Sequence, residues 1–177
     1  MARNFMCTKT DPVVETKAGK LRGFQLDGTY AFHGVKYADA KRFHQPTPVE
    51  PWEGIKNALA YGYVCPMLQQ DQPSNELMVP HRYWPLDENC QYLNIWTQHL
   101  DPNAKKPVLV WLHGGGFAAG SSIEHIAYEG ENMSKYGDVV VISLNHRLNI
   151  LGYLDLSPFG EEYKNSGNAG NADMVAA

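Results

Sequence analysis

The stretch that most constrains this chain is Val108-Leu-Val-Trp-Leu112, which runs directly into His113-Gly114-Gly115-Gly116-Phe117. Five consecutive apolar residues, bounded by Pro107 and a glycine cluster, predict a strand covered on both faces of a sheet. The glycines beyond it allow a sharp backbone turn and let N–H groups come close to a group lying outside the strand end. Whatever this chain does, the end of that strand is where backbone donors can be presented.

Three readings of Gly114 to Gly116 compete. The plainest is a glycine-rich turn without chemistry. A second is nucleotide binding, since Gly114-x-Gly116-x-x-Ala119 fits a dinucleotide fingerprint after a strand. That fingerprint should open a helix at once and be followed by a carboxylate at the end of the next strand. Here Ala118-Ala-Gly-Ser-Ser122 interrupts any helix, and the next strand ends at Asn145-His-Arg147, with Asp138 at its start. A phosphate loop fails too, because Gly115-x-x-x-x-Gly120 is followed by Ser121 rather than Lys. The third reading is an oxyanion hole, in which backbone N–H groups face the charge that develops on an ester or amide carbonyl. Glycine suits it because a Cβ would intrude where the carbonyl must sit. His113, fixed just before the turn, is better suited to holding the loop than to carrying a proton.

Composition narrows the classes. With 177 residues, 44% apolar, the chain can bury an ordinary core. Its 15 basic and 19 acidic residues are mixed, which argues against nucleic acid or an anionic membrane as partner. No apolar window reaches the roughly 18 residues of a membrane span. The N-terminus lacks the apolar core of a signal peptide, so a cytoplasmic location is favoured, and secretion would require paired cysteines. Cys7, Cys65 and Cys90 have no zinc spacing; on spacing alone they permit one disulfide or three free thiols.

Along the chain, short antiparallel strands are expected at 13–16, 21–26 and 30–35, the last two joined by a hairpin at Asp27-Gly28. Residues 44–90 read as loop with short structured pieces. Further strands are expected at 92–97, 108–112 and 139–144, a short helix within 126–136, and the opening of another helix at 171–177.

Five segments carry a resemblance: Phe32-His-Gly-Val-Lys-Tyr-Ala38 with Arg42-Phe43; Glu88-Asn-Cys-Gln-Tyr-Leu-Asn-Ile-Trp96; Trp111-Leu-His-Gly-Gly-Gly-Phe117; Asn145-His-Arg-Leu-Asn-Ile-Leu-Gly-Tyr-Leu154; and Gly167-Asn-Ala-Gly-Asn-Ala-Asp173. In this order they resemble the N-terminal part of the type-B carboxylesterases and cholinesterases, which have the α/β-hydrolase fold. The resemblance implies a mixed central sheet preceded by a small antiparallel N-terminal sheet. It also implies that residues 1–177 are the N-terminal segment of one such domain. Asn89, Gln91 and the short Asp39-Ala-Lys41 stretch depart from the family pattern.

The resemblance further implies a serine ester hydrolase whose serine, acid and histidine all follow Ala177. Gly115 and Gly116 would then supply oxyanion N–H groups, with Gly114 shaping the loop. Phe117 and Trp84 would contact substrate, and Tyr83 beside Trp84 would border the entrance. Cys65 would pair with Cys90, and Arg42–Glu88 and Arg147–Asp173 would be structural ion pairs. The implied partners are a small carboxylic ester and the remainder of the same hydrolase; no metal or organic cofactor is implied. The segment alone is expected to be inactive. A non-catalytic adhesion or scaffold protein of the same fold is the alternative.

Overall fold

A computed structural model describes residues 2–67 and 84–177. Among these, eleven strands form sheets of six, three and two strands. They are β1 (Phe5–Met6), β2 (Val13–Glu15), β3 (Lys20–Arg22), β4 (Phe24–Leu26), β5 (Thr29–Lys36), β6 (Ala38–Asp39), β7 (Thr47–Pro48), β8 (Ile55–Asn57), β9 (Tyr92–Thr97), β10 (Val108–Leu112) and β11 (Val140–Leu144). Three α-helices accompany them: α1 (Glu131–Gly137), α2 (Asn149–Tyr153) and α3 (Ala169–Ala176).

The hairpin joining β4 and β5 forms at Asp27-Gly28. Leu26 pairs with Thr29, and both turn residues are left-handed, with φ of 48° and 89°. Such turns match the natural twist of the strands they join. The expected single strand over 21–26 is instead two strands in two sheets, divided at Gly23. A Cβ there would lie 2.3 Å from the Ala31 carbonyl, so only glycine lets the chain cross from the small sheet to the large one at this point. β3 pairs antiparallel with β2 but parallel with β8, so the small sheet is mixed rather than purely antiparallel. β8 is exposed along its whole length and carries no hydrophobic pattern, which is why residues 55–57 read as loop.

The large sheet has the order β1-β4-β5-β9-β11-β10. β9 runs antiparallel to both β5 and β11, while β10 runs parallel to β11, Val108 opposite Val140 and Leu112 opposite Leu144. The chain passes from β10 to β11 through α1, whose buried Ser134 faces the sheet. Gly130 begins this helix hard against Val141 and Trp96, to which a Cβ would come within 2.6 and 2.7 Å. Phe24, Ala31, Trp96 and Val141 form the core beneath it; Leu21, Phe32 and Ala58 form a second core between the sheets.

β10 differs from expectation. Predicted to be covered on both faces, it is an edge strand, with Val108, Val110 and Leu112 each more than half exposed. It bonds to β11 alone, so among the described residues its other edge is unpaired as well. Among the described residues, no helix is long and apolar enough to cross a membrane.

Candidate functional site

The glycine loop leaves the C-terminal end of β10 and is shaped by three consecutive left-handed residues. Gly115, Gly116 and Phe117 have φ of 129°, 61° and 62°. Gly114 does not, and a Cβ on it would meet nothing within 4 Å. The shape of the turn therefore resides one residue later than expected. Gly115 is also irreplaceable for a reason other than substrate space. A Cβ there would lie 1.9 Å from the Ala119 carbonyl, inside the loop itself. At Gly116 there is open space, and the left-handed backbone alone favours glycine. Phe117, a bulky residue in the same region, carries backbone strain of about 1–2 kcal/mol.

Two hydrogen-bond sets direct the amides of this loop. The Gly115 carbonyl accepts from the N–H groups of Ala118 (3.1 Å) and Ala119 (3.2 Å). The Gly114 carbonyl accepts from His113 Nδ1 at 2.9 Å; because a carbonyl only accepts, the proton is on Nδ1. Each trans peptide is planar, with its C=O and N–H pointing in opposite directions. Pinning the Gly114 and Gly115 carbonyls therefore turns the N–H groups of Gly115 and Gly116 away from the loop interior. Among the described residues, neither N–H meets an acceptor.

Neighbouring elements hold the loop. The Phe117 carbonyl accepts from Asn149 N–H at 2.7 Å, at the start of α2, and Asn149 Nδ2 donates to the carbonyls of Pro66 and Ala118. On the other side, Asn145 Oδ1 accepts from Ser122 N–H at 2.8 Å. Beneath lies a pair of imidazoles, His113 and His146, with ring centroids 5.0 Å apart and planes 28° apart. Both are buried. Burial holds His113 below its ordinary range, despite its bond to Gly114 and the charge of Glu124. Burial, and secondarily His113, pushes His146 down to about 4. His113 is thus a neutral loop clamp with its donor committed.

Beside Gly116 an open groove of about 690 Å³ is lined by Phe117, Ala118, Asn149, Ile150, Tyr153 and Leu154. Phe117 is 61% exposed and meets Tyr153 edge-on at 5.3 Å. Trp84 does not line this groove. Its indole N–H donates to the Tyr61 carbonyl at 3.1 Å, and its ring packs edge-on against Tyr61. Among the described residues, its indole is committed to local packing. Tyr83 lies outside the described residues.

Arg147 and Asp173 form a buried, two-pronged pair, Nε to Oδ2 at 2.8 Å and Nη2 to Oδ1 at 2.7 Å. Asp173 also receives the Arg147 backbone N–H and Gln91 Nε2, while Arg147 Nη1 donates to the carbonyls of Lys41 and His44. Burial opposes the charge on Arg147, but the bonds and charge of Asp173 prevail and its pKa is raised. Arg42 meets Glu88 through two contacts, Nε to Oε2 at 2.7 Å and Nη2 to Oε1, at the surface.

Cys65 and Cys90 are neighbours but free, which corrects the expected disulfide. They sit with Leu148 and Leu151 in one dry cluster. The Cys90 thiol hydrogen-bonds the Cys65 sulfur, which lowers the Cys65 pKa and raises that of Cys90. Cys65 also accepts the Leu148 N–H at 3.2 Å. Cys65 thus accepts two hydrogen bonds, and Cys90 donates one.

His146, Asn145, Asn149 and the Ile150–Leu154 wall carried no individual role in the sequence reading. A partial signal was present for the histidines: each lies just beyond one of two parallel strands, His113 one residue past β10 and His146 two past β11, with Leu112 opposite Leu144.

The family model of the Carboxylesterase family matches residues 10–177. The para-nitrobenzyl esterase of Bacillus subtilis (strain 168) is 38% identical over 173 residues, which cover 95% of this chain and 34% of that protein. The phenmedipham hydrolase of Pseudarthrobacter oxydans is 40% identical over 82% of this chain and 30% of its own length. Among solved structures, an esterase from Clostridium hathewayi, described as able to hydrolyse aliphatic aromatic polyesters, superposes with a TM-score of 0.94 at 66% identity. The match covers 99% of this chain and 35% of that one. The chain thus spans about a third of the length of the relatives it matches. These α/β-hydrolase relatives and the five ordered motifs agree: the chain belongs to the carboxylesterase family.

Proposed function

We propose that this chain is the N-terminal segment of a serine carboxylic-ester hydrolase and supplies the oxyanion hole to a Ser-His-Glu/Asp triad on the polypeptide that follows. The observation that carries this reading is the pair of amides at Gly115 and Gly116, turned outward by pinned carbonyls and without acceptors among the described residues.

In the assembled enzyme a downstream serine attacks the ester carbonyl, its proton passing to a downstream histidine. The carbonyl oxygen becomes an oxyanion held by the two glycine amides, each contributing about 3–4 kcal/mol to the transition state. The tetrahedral intermediate collapses, the alcohol leaves with that proton, and water repeats the sequence on the acyl-enzyme. His113 is no candidate for the base, since Nδ1 is bound to Gly114 and the ring is buried.

The apolar groove of Phe117, Ile150, Tyr153 and Leu154 suits an aromatic or aliphatic ester, in keeping with the relatives' para-nitrobenzyl and aliphatic aromatic substrates. The exposed apolar strand β10 is the face on which the remainder of the hydrolase would add its sheet.

The test is a complementation assay with a short-chain aryl ester. Residues 1–177 alone should give no turnover above background; adding the remainder of the protein should restore it, and a serine-directed phosphonate should abolish it. Phosphonate-resistant turnover by 1–177 alone would sink the proposal.

A further inference from the structure

His146 has no part in the chemistry above, yet it is 3% exposed and its Nδ1 has no hydrogen-bond partner. A buried polar atom left unpaired is costly, and such a side chain calls for a reason to be there. Among the described residues its close ring partner is His113, stacked at 5.0 Å, and His113 is the residue whose Nδ1–H pins the Gly114 carbonyl. That carbonyl shares a peptide plane with the Gly115 N–H. The contact also has no slack on the far side: a Cβ on Gly120 would lie 2.4 Å from the Gly114 oxygen and 2.9 Å from His113 Nδ1. The series from the His146 ring through His113 and the Gly114 carbonyl to the Gly115 amide is therefore close-packed at each step.

We propose that His146 is a positioning residue for ester hydrolysis, its neutral ring bracing His113 so that the Gly115 amide stays aimed at the oxyanion. This rests on the oxyanion role proposed above. The brace works only while both rings are uncharged, because two stacked imidazoliums repel across 5 Å of low dielectric. The charged groups facing the pair do not compensate. Asp173 is committed to Arg147, Glu124 lies on the His113 side, and the Cys65 sulfur takes the Leu148 amide.

The experiment uses the full-length protein that carries this chain, and has two arms. In the kinetic arm, His146→Ala should lower kcat about tenfold or more with KM within about twofold, the pattern of a donor lost only in the transition state. His146→Phe, which keeps a ring against His113, should recover most of that loss. A role in stability alone would lower the Tm of His146→Ala and leave kcat at 25 °C unchanged, which overturns the proposal.

The second arm needs no turnover. In the wild-type protein the Gly115 amide resonance should move with the titration of the His146 ring, and in His146→Phe it should not. A Gly115 amide indifferent to that titration overturns the proposal even where His146→Ala fails to fold. Absence of ester turnover in the wild type would instead refute the proposed function, while the amide titration still decides whether the ring braces the loop.

Discussion

At the scale of single residues, the glycine loop separates three reasons for one residue type. Gly115 is held by a clash with the Ala119 carbonyl, Gly116 by its left-handed backbone, and Gly114 by neither. Gly115→Ala is accordingly expected to reduce kcat of the assembled enzyme by about a hundredfold or more, and Gly114→Ala by much less. Steady-state kinetics on the two variants separates them. The motif His-Gly-Gly-Gly was legible in the sequence, but the unequal duties of its glycines depend on φ angles and on contacts four residues away. The buried histidines make a second expectation. In the unfolded chain His146 titrates at 6.5, and in the folded one at about 4. The unfolded state therefore binds more protons between these values, so stability is full above pH 6.5 and declines as pH falls toward 4. For His146 alone the loss is roughly 3 kcal/mol. Urea unfolding midpoints from pH 7 to 4 should fall more in the wild type than in His146→Phe.

At the scale of elements, the Arg147–Asp173 pair ties the segment three residues beyond β11 to α3 at the loop-bearing end of the sheet. Removing one partner of such a buried pair leaves the other uncompensated and costs about 3–5 kcal/mol. Asp173→Asn should therefore lower Tm strongly, as read by calorimetry. The Arg42–Glu88 pair is exposed, and Glu88→Gln should change Tm little, any difference shrinking as salt is raised. Strand positions followed from hydrophobic runs, as at Tyr92–Thr97, and the β4–β5 turn followed from Asp27-Gly28. The break at Gly23 did not, because the close approach of the Ala31 carbonyl that requires glycine there is a contact between distant segments. β8 was missed for the opposite reason: its side chains are exposed, and its place comes from backbone pairing with β3.

At the scale of the whole molecule, the chain has a closed side and an open one. Its cores lie between the sheets and under α1, while β10 presents Val108, Val110, Trp111 and Leu112 to solvent. An unpaired apolar edge invites pairing with other chains. Residues 1–177 prepared alone should self-associate, and Val110→Lys should reduce that association while weakening complementation by the remainder; light scattering and the esterase assay check the two halves. The sequence by itself determined the family, through it the α/β class, the order of the major strands and the place of the glycine loop, because these reside in local runs and short motifs. Tertiary structure alone decided that the side chains of β10 stand exposed, that Trp84 packs on Tyr61, that Cys65 and Cys90 stand as hydrogen-bonded thiols, and that His146 lies beneath the loop. Each of those depends on which distant segments meet, and on what burial does to a polar group once they have met.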